Sequence, residues 1–570
     1  MTQFRASLRA MLAATALLVP LAPAVPAAAQ DVAGPYLAAR IAGFNSDYAE
    51  AAALYDRLIA SDAETPAILE AALVVHAALG DVARAADMAE RLEALGQPSQ
   101  FADGALLVSD LVEGRLDAAR ARIDDGVGGA LLDGLLRGWI AAAEDDVPAA
   151  REAFAALAEN DSFAPFARLH EAYLLGMSGA YEEADAIFSG EAHGPLRLNT
   201  RGVQAHVQVL IELDRMEDAV ELLTQARREV NSPELHVLAE RVEEGEEVSW
   251  NFLTDPGQGM AESYLTLAAL LAGETTPAFA LLNARAAQAL RPDLVDAVIL
   301  TAEILAEQDQ YALAAEVLAT VPATHPAFHA AEIERAEALL ADGHEEAAVE
   351  VLESLARSHP DIQQVHAALG DTFRRLERFS ESASAYDAAI ALDETPGERW
   401  DWYLYYVRGI AYERTDRFDL AEPDFRRALE LNPDHPLVLN YLGYSLVEER
   451  KNFDEALDMI ERAVAARPDD GYITDSLGWV LYRLGRFEEA VEPMERAVQL
   501  EPLDPIINDH LGDVLWMVGR KREAEFQWKR ALSLEPEPEE AERIRRKLEE
   551  GLDVVLEEEG GVGARASASE

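Results

Sequence analysis

The 570-residue chain contains no cysteine, which removes disulfides, thiolate metal sites, cysteine nucleophiles and a lipid-modified cysteine from consideration. Lysine is nearly absent as well: Lys451, Lys521, Lys529 and Lys547 are the only four, and with arginine the basic residues number 48 against 105 acidic ones, a formal charge of -57. So acidic a molecule is a poor partner for nucleic acid or anionic lipid, and neither is expected here. The charge reads as a solvated coat suited to a salty habitat, not as a field designed for a cationic ligand. Beyond the N-terminus no uninterrupted apolar run reaches the ~18 residues of a membrane span. The phosphate loop GxxxxGK[ST], the nucleophile elbow GxSxG and the zinc motif HExxH are also missing. The twelve histidines are scattered; His325 and His329 stand four apart, but Pro326 between them marks a helix start better than a metal pair. "DDGVGG" around Gly126 has no strand before it and reads as a turn between helices. Acid pairs such as Asp469 and Asp470, or Glu488 and Glu489, belong to helix entries and solvated faces. No catalytic residue, cofactor or metal is expected, and the chain does not read as an enzyme.

What is present begins with "MTQFRASLRA", carrying Arg5 and Arg9, then an apolar run from Ala10 to Val19, then Pro20, Pro23 and Pro26 and the stretch Ala27-Ala28-Ala29. The run is short for a membrane span and has the form of a secretory signal cleaved after Ala29, leaving no integral membrane segment. The remainder is half apolar and rich in Ala, Leu, Glu and Arg, which favours helix. A chain of this length needs several domains or one extended array.

Self-comparison decides for an array. Gly409, Gly443, Gly478 and Gly512 are separated by 34, 35 and 34 residues, Ala421, Ala456, Ala490 and Ala524 follow at similar steps, and Pro433, Pro468, Pro502 and Pro536 close each unit. From Trp402 onward, Tyr405, Gly409, Tyr412, Ala421, Phe425, Ala428 and Pro433 resemble the tetratricopeptide repeat (TPR) pattern, with Arg408 at its usual Leu position. The small residues let two helices approach, the large ones fill the gaps, and the proline ends the second helix. One unit cannot bury its own face, so neighbours stack. Ala268, Ala302, Ala336 and Gly370 continue the first-helix position backward, Ala280, Ala314 and Ala348 the second, with Ser382 in place of the next alanine. Ala51, Ala85, Ala119, Ala150, Ala184 and Ala219 keep the period, except for one step of 31, in a more degenerate N-terminal part. The expectation is an all-α, TPR-like helix-turn-helix solenoid of about 12–14 helical pairs. Its divisions would be a signal peptide over 1–29, degenerate repeats over 30–242, a joint over 243–260 where Pro256, Gly257 and Gly259 cluster, a C-terminal array over 261–538, and a charged capping helix with a disordered tail over 539–570. "DETPGERWD", 393–401, stretches one interval to 39 residues and implies a longer loop or helix end.

"YITDSLGWVLYRLGR", 472–486, holds more large apolar side chains than one buried face requires. At about 100° per residue, Thr474, Leu477, Gly478 and Leu481 face the partner helix, while Tyr472, Asp475 and Trp479 point roughly opposite and Tyr482 to one side. In TPR proteins that opposite side lines a concave groove, so the resemblance assigns these residues to one. Tyr406, Asn440, Tyr441, Tyr444, His510, Asp513 and Trp516 hold equivalent or adjacent places in neighbouring units, and five of the seven tryptophans, Trp400, Trp402, Trp479, Trp516 and Trp528, fall within 400–528. Tyr, Trp and an Asn able to pair with a peptide backbone compose a binding surface, unless the rings pack between adjacent first helices.

The segment 435–534, from "HPLVLNYLGYSLVEERKNFDEALDMIERAVAARPDD" through "INDHLGDVLWMVGRKREAEFQWKRAL", resembles the C-terminal repeats of proteobacterial exported TPR proteins. Some of these are outer-membrane lipoproteins that present cell-wall hydrolases to carboxyl-terminal-processing proteases. The resemblance implies a periplasmic scaffold or adaptor holding a protein or peptide partner, such as a protease or cell-wall hydrolase. This chain departs from those adaptors in lacking the cysteine they lipidate. The competing expectation is an envelope structural protein that binds cell-wall glycan or an export complex.

Overall fold

The computed structural model describes residues 27–559 except 62–63, 231, 274–276 and 393–401, and for 27–31 and 559 the backbone alone. The signal segment, apart from the backbone of 27–29, lies outside the described residues, as do the stretched interval 393–401 and the tail from 560. The described residues form 31 helices and no strand, most of them joined as antiparallel hairpins. The chain divides into two compact units, 1–344 and 345–570.

One local rule builds most hairpins. First helices begin on a capping side chain or a proline: Thr65, Ser99, Asn199, Asp470 and Asp504 each accept a backbone N–H three residues on, and Pro66, Pro436 and Pro505 take the first helical position. The turn into the second helix needs a left-handed residue, supplied by Gly80, Gly114, Gly179, Gly485 and Gly519 or by Asp145, Asp214, Asp309 and Asp416. The period-34 small residues sit where the two helices touch. A Cβ on Gly409 would come within 2.7 Å of Phe425, on Gly478 within 2.5 Å of Met494, and on Gly512 within 2.4 Å of Trp528. In the degenerate part, Ala51, Ala119, Ala150, Ala184 and Ala219 all lie on second helices and are fully buried.

The first unit adds something periodicity does not encode. Five of its first helices, Pro66–Ala78, Gln100–Val112, Gly129–Ala143, Ala164–Met177 and Thr200–Glu212, are met by its own later chain. Residues 248–253 lie along Thr200–Glu212, where the Gln208 side chain accepts from the Asn251 and Phe252 amides at 2.9 and 3.0 Å and Glu212 accepts from the Trp250 amide at 2.8 Å. Trp250 fills the space over Gly176. The helix Pro256–Leu271 then packs on Gly129–Ala143 with Gly259 against the Trp139 indole, and Pro277–Leu290 packs on Pro66–Ala78, where Arg285 Nε donates to the Ala78 carbonyl at 3.0 Å. Arg201 pairs with Glu262 and, at 3.1 Å, with Asp296, its guanidinium 4.6 Å over Phe252. The segment 243–260, expected as a joint between halves, is thus folded into the first unit, with Phe252 and Leu253 buried, and the division falls between His344 and Glu345. Its Pro and Gly residues serve a helix start and a close approach to Trp139.

In the second unit the hairpins Gln363–Arg375/Phe379–Ala391, Trp402–Glu413/Phe418–Leu431, Pro436–Glu448/Phe453–Ala466, Gly471–Arg483/Phe487–Leu500 and Pro505–Met517/Lys521–Ser533 stack in sequence order. Pro538–Glu550 and the short helix Leu552–Glu559 packed on it close the series. In this unit the first helices pack on their sequence neighbours, and the closing helix reaches Pro505–Met517 through Lys547. No described helix is long and apolar enough to cross a membrane.

Candidate partner-binding face

The residues expected to line a groove all lie on first helices of the second unit, but they divide by burial. Trp479 is the centre of a stack, with Tyr482 at 4.9 Å on one side and His510 at 4.0 Å on the other, the rings within 17° of parallel. Its indole N–H donates to Glu448 at 2.8 Å. His510 Nδ1 meets the Asp475 carboxylate at 2.9 Å. Burial pulls the His510 pKa down, but Asp475, Asp509 and Asp513 outweigh it and the net shift is upward. Tyr406 is buried against Trp402, Phe425 and Tyr441, and Tyr441 and Tyr444 are half-buried. Asn440 is half-buried with its side-chain oxygen unpaired. Trp516 packs 5.3 Å from Trp528 under the Lys521 ammonium.

Asp475, Trp479, Tyr482 and His510 therefore come together as an interface between successive first helices, and so do Tyr406 and Tyr441. Stacked solenoid units need large side chains there, and these rings are what the sequence supplies. The Asp475–His510 pair resembles a carboxylate-oriented base, yet the ring is buried on Trp479 and no hydroxyl bonds it among the described residues. Asp513 is fully buried, accepting from the Trp528 indole at 2.9 Å and from Lys547 Nζ at 2.6 Å; Lys547 also reaches Asp509 at 2.6 Å. Burial and the neighbouring Asp513 raise the Asp509 pKa against the pull of Lys547. Sequence reasoning did not single out Lys547 as the ion that seats the closing helix, although its rarity, one lysine of four, was the available signal.

Tyr472 behaves differently. It is 58% exposed, the second residue of its helix, beside an open cleft of about 570 Å³ formed with Arg467, Pro468, Asp469, Asp470 and Glu501. The same second position is occupied by Tyr403, Leu437 and Ile506 in the other three helices of the run, and Tyr403 and Ile506 are 38% and 43% exposed. Four successive repeats thus carry one large apolar side chain at one register, open to solvent or partly so. Counting from Pro436 and Pro505 would have found Leu437 and Ile506; angular position alone did not.

Residues 36–99, 333–398, 406–471, 447–505 and 476–537 match the family model described as tetratricopeptide repeat, and the chain carries tetratricopeptide repeats over these stretches. It is similar to TPR repeat-containing protein PA4667 of Pseudomonas aeruginosa, 28% identical over 160 residues, which are 28% of this chain and 26% of that relative. The chain therefore spans about a quarter of that relative's length. Similar solved structures include YrrB, a TPR protein with an unusual peptide-binding site, at 18% identity and TM-score 0.28 over 35% of this chain and 99% of that one. A tetratricopeptide repeat protein from Parabacteroides merdae matches at 18% identity and TM-score 0.37 over 44% and 96%. A chain of the APC/C hetero-tetramer Cut9–Hcn1 matches at 15% and 0.37 over 91% and 96%.

Proposed function

We propose that this array of tetratricopeptide repeats is an exported, non-enzymatic scaffold or adaptor working in the periplasm, whose second unit holds a segment of a partner protein on the face of its first helices. The observation that carries the reading is the open register of Tyr403, Leu437, Tyr472 and Ile506, on a face that the first unit fills with its own chain. Large apolar side chains at a regular register anchor an extended or helical partner segment at low entropic cost. Asp469, Asp470, Glu501 and Asp504 lie around Tyr472 and outnumber the cations there, Arg467 and the Arg496 paired with Asp469, so the partner segment is apolar with basic residues, in keeping with the net charge of -57. The partner class is the one the sequence resemblance implies, a periplasmic protease or cell-wall hydrolase. Of the groove residues read from the sequence, Tyr472 is exposed enough to touch the partner in this reading and Asn440 and Tyr444 are half-buried, while Tyr406, Asp475, Trp479, Tyr482, His510 and Asp513 hold the helices that present it.

The test is a photoreactive residue at Tyr472 or Ile506 in cells, with mass spectrometry of the trapped species and Trp479 as the buried comparison. Capture of one protein at both exposed positions, lost in Tyr403→Ala/Tyr472→Ala with unchanged helix content, supports the reading. Capture of glycan alone would favour the envelope-structural alternative, and no protein adduct at either position would refute the scaffold assignment.

A further inference from the structure

We infer that the first unit is also a receptor for a small, neutral, predominantly apolar molecule, held in a cavity of about 630 Å³ where Gln100–Val112 and Gly129–Ala143 face the returning helices Pro256–Leu271 and Pro277–Leu290. The volume is in the range of small-molecule sites, whereas ordinary protein interiors close voids of this size. Gly104 leaves its part of the wall bare: a Cβ there meets nothing nearer than Leu282 Cδ2 at 4.0 Å.

The lining defines the ligand. In a chain of which 27% is charged, not one charged side chain lines this cavity among the described residues. Its walls are Leu107, Leu132, Leu267, Leu271, Phe279 and Leu282, the last four left half-buried around the opening. A half-buried apolar rim gains stability when a further apolar body covers it. Two polar groups lie deeper. Asn283 already donates to the Phe279 carbonyl at 2.7 Å. Tyr264 is 3% exposed and its hydroxyl has no hydrogen-bond partner among the described residues, a deficit that an acceptor atom on a ligand removes. Burial raises the Tyr264 pKa strongly, with Asp133 adding to it, so the hydroxyl stays a donor at any physiological pH. A carboxylate or ammonium ligand would enter without a counter-ion, which the low-polarity lining penalises. The chemistry that fits is a medium-chain alcohol, ester or isoprenoid carrying one oxygen acceptor.

The experiment titrates the full-length protein with 1-decanol by calorimetry, with decanoate as the charged counterpart. The expected result is saturable one-to-one binding of decanol, weaker binding of decanoate, weaker decanol binding in Tyr264→Phe, and loss of binding in Gly104→Leu and Leu267→Trp, which fill the cavity from opposite walls. Hydrogen exchange of the wild-type protein with and without decanol gives a readout independent of any variant's folding: added protection in 100–112 and 256–290 is expected. Absence of saturable binding to the wild type, unchanged affinity in folded filling variants, decanoate binding as tightly as decanol, or no added protection would each overturn the assignment.

Discussion

Replacing Lys547 by methionine tests how the second unit is closed. The ammonium is 1% exposed and sits 2.6 Å from both Asp509 and Asp513, so Lys547→Met keeps the packing volume and leaves two buried carboxylates facing each other. Removing one partner from a buried ion pair costs about 3–5 kcal/mol. Asp513 keeps the Trp528 indole N–H at 2.9 Å and Arg543 at 3.6 Å, which places the expected loss near the lower end, about 3 kcal/mol. At 1.36 kcal/mol per tenfold, protection of amides in Pro505–Met517 and Pro538–Glu550 falls by about a hundredfold. Hydrogen exchange with mass spectrometry of the full chain reads this directly, with Pro66–Ala78 in the first unit as the unaffected comparison. The pH dependence follows from the sign of the shift. Asp509 is already shifted upward by burial and the neighbouring Asp513, and losing Lys547 removes the main group that pulls it down, so the defect is absent below the unfolded carboxylate value of about 3.9 and grows as pH rises past it. Asp513→Asn in the Lys547→Met background restores much of the protection by removing one buried charge. Protection in Lys547→Met within about threefold of wild type at pH 7 would refute the account, because a buried carboxylate pair cannot lose its cation so cheaply.

Three further outcomes are expected. Gly259→Ala places a Cβ about 2.3 Å from the Trp139 indole, an overpacking cost of about 1–3 kcal/mol that exceeds the helix-propensity gain, and it lowers protection of Pro256–Leu271 in exchange experiments. His170 is fully buried, accepts the Trp139 indole N–H at 2.9 Å, and has its pKa pushed down by burial to about 3. Its neutral form stabilises the first unit fully above pH 6.5, and this is lost as pH falls; at pH 4.5 the loss is about 3 kcal/mol, seen as a shallower acid limb in urea melts of His170→Gln. His510 is shifted the other way, so its contribution is complete below about pH 6.5 and declines as pH rises through the elevated folded value. An NMR titration of its ring protons checks this, with the midpoint falling in Asp475→Asn.

Much of the fold was legible because each repeat encodes contacts about sixteen residues apart. Gly409 against Phe425 and Gly512 against Trp528 are local events that recur with the sequence, so glycine, alanine and proline spacing alone determined the hairpins, their order and the all-helical class. The aromatic concentration in 400–528 was equally visible. Which of those rings are open depended on how far one first helix leans on the next: Trp479 and Tyr472 differ by seven residues on one helix, and the former is buried in the stack with Tyr482 and His510. Lys547 against Asp509 and Asp513 spans 38 and 34 residues and has no periodic signature. The return of 248–290 onto helices as distant as Pro66–Ala78 was decided by tertiary structure in the same way, since Arg285 and Ala78 are 207 residues apart and nothing local to either names the other. Short-range complementarity is written into a repeat, whereas the register of long-range closure is chosen by the summed packing of many side chains, and the apolar cavity of the first unit exists only in that sum.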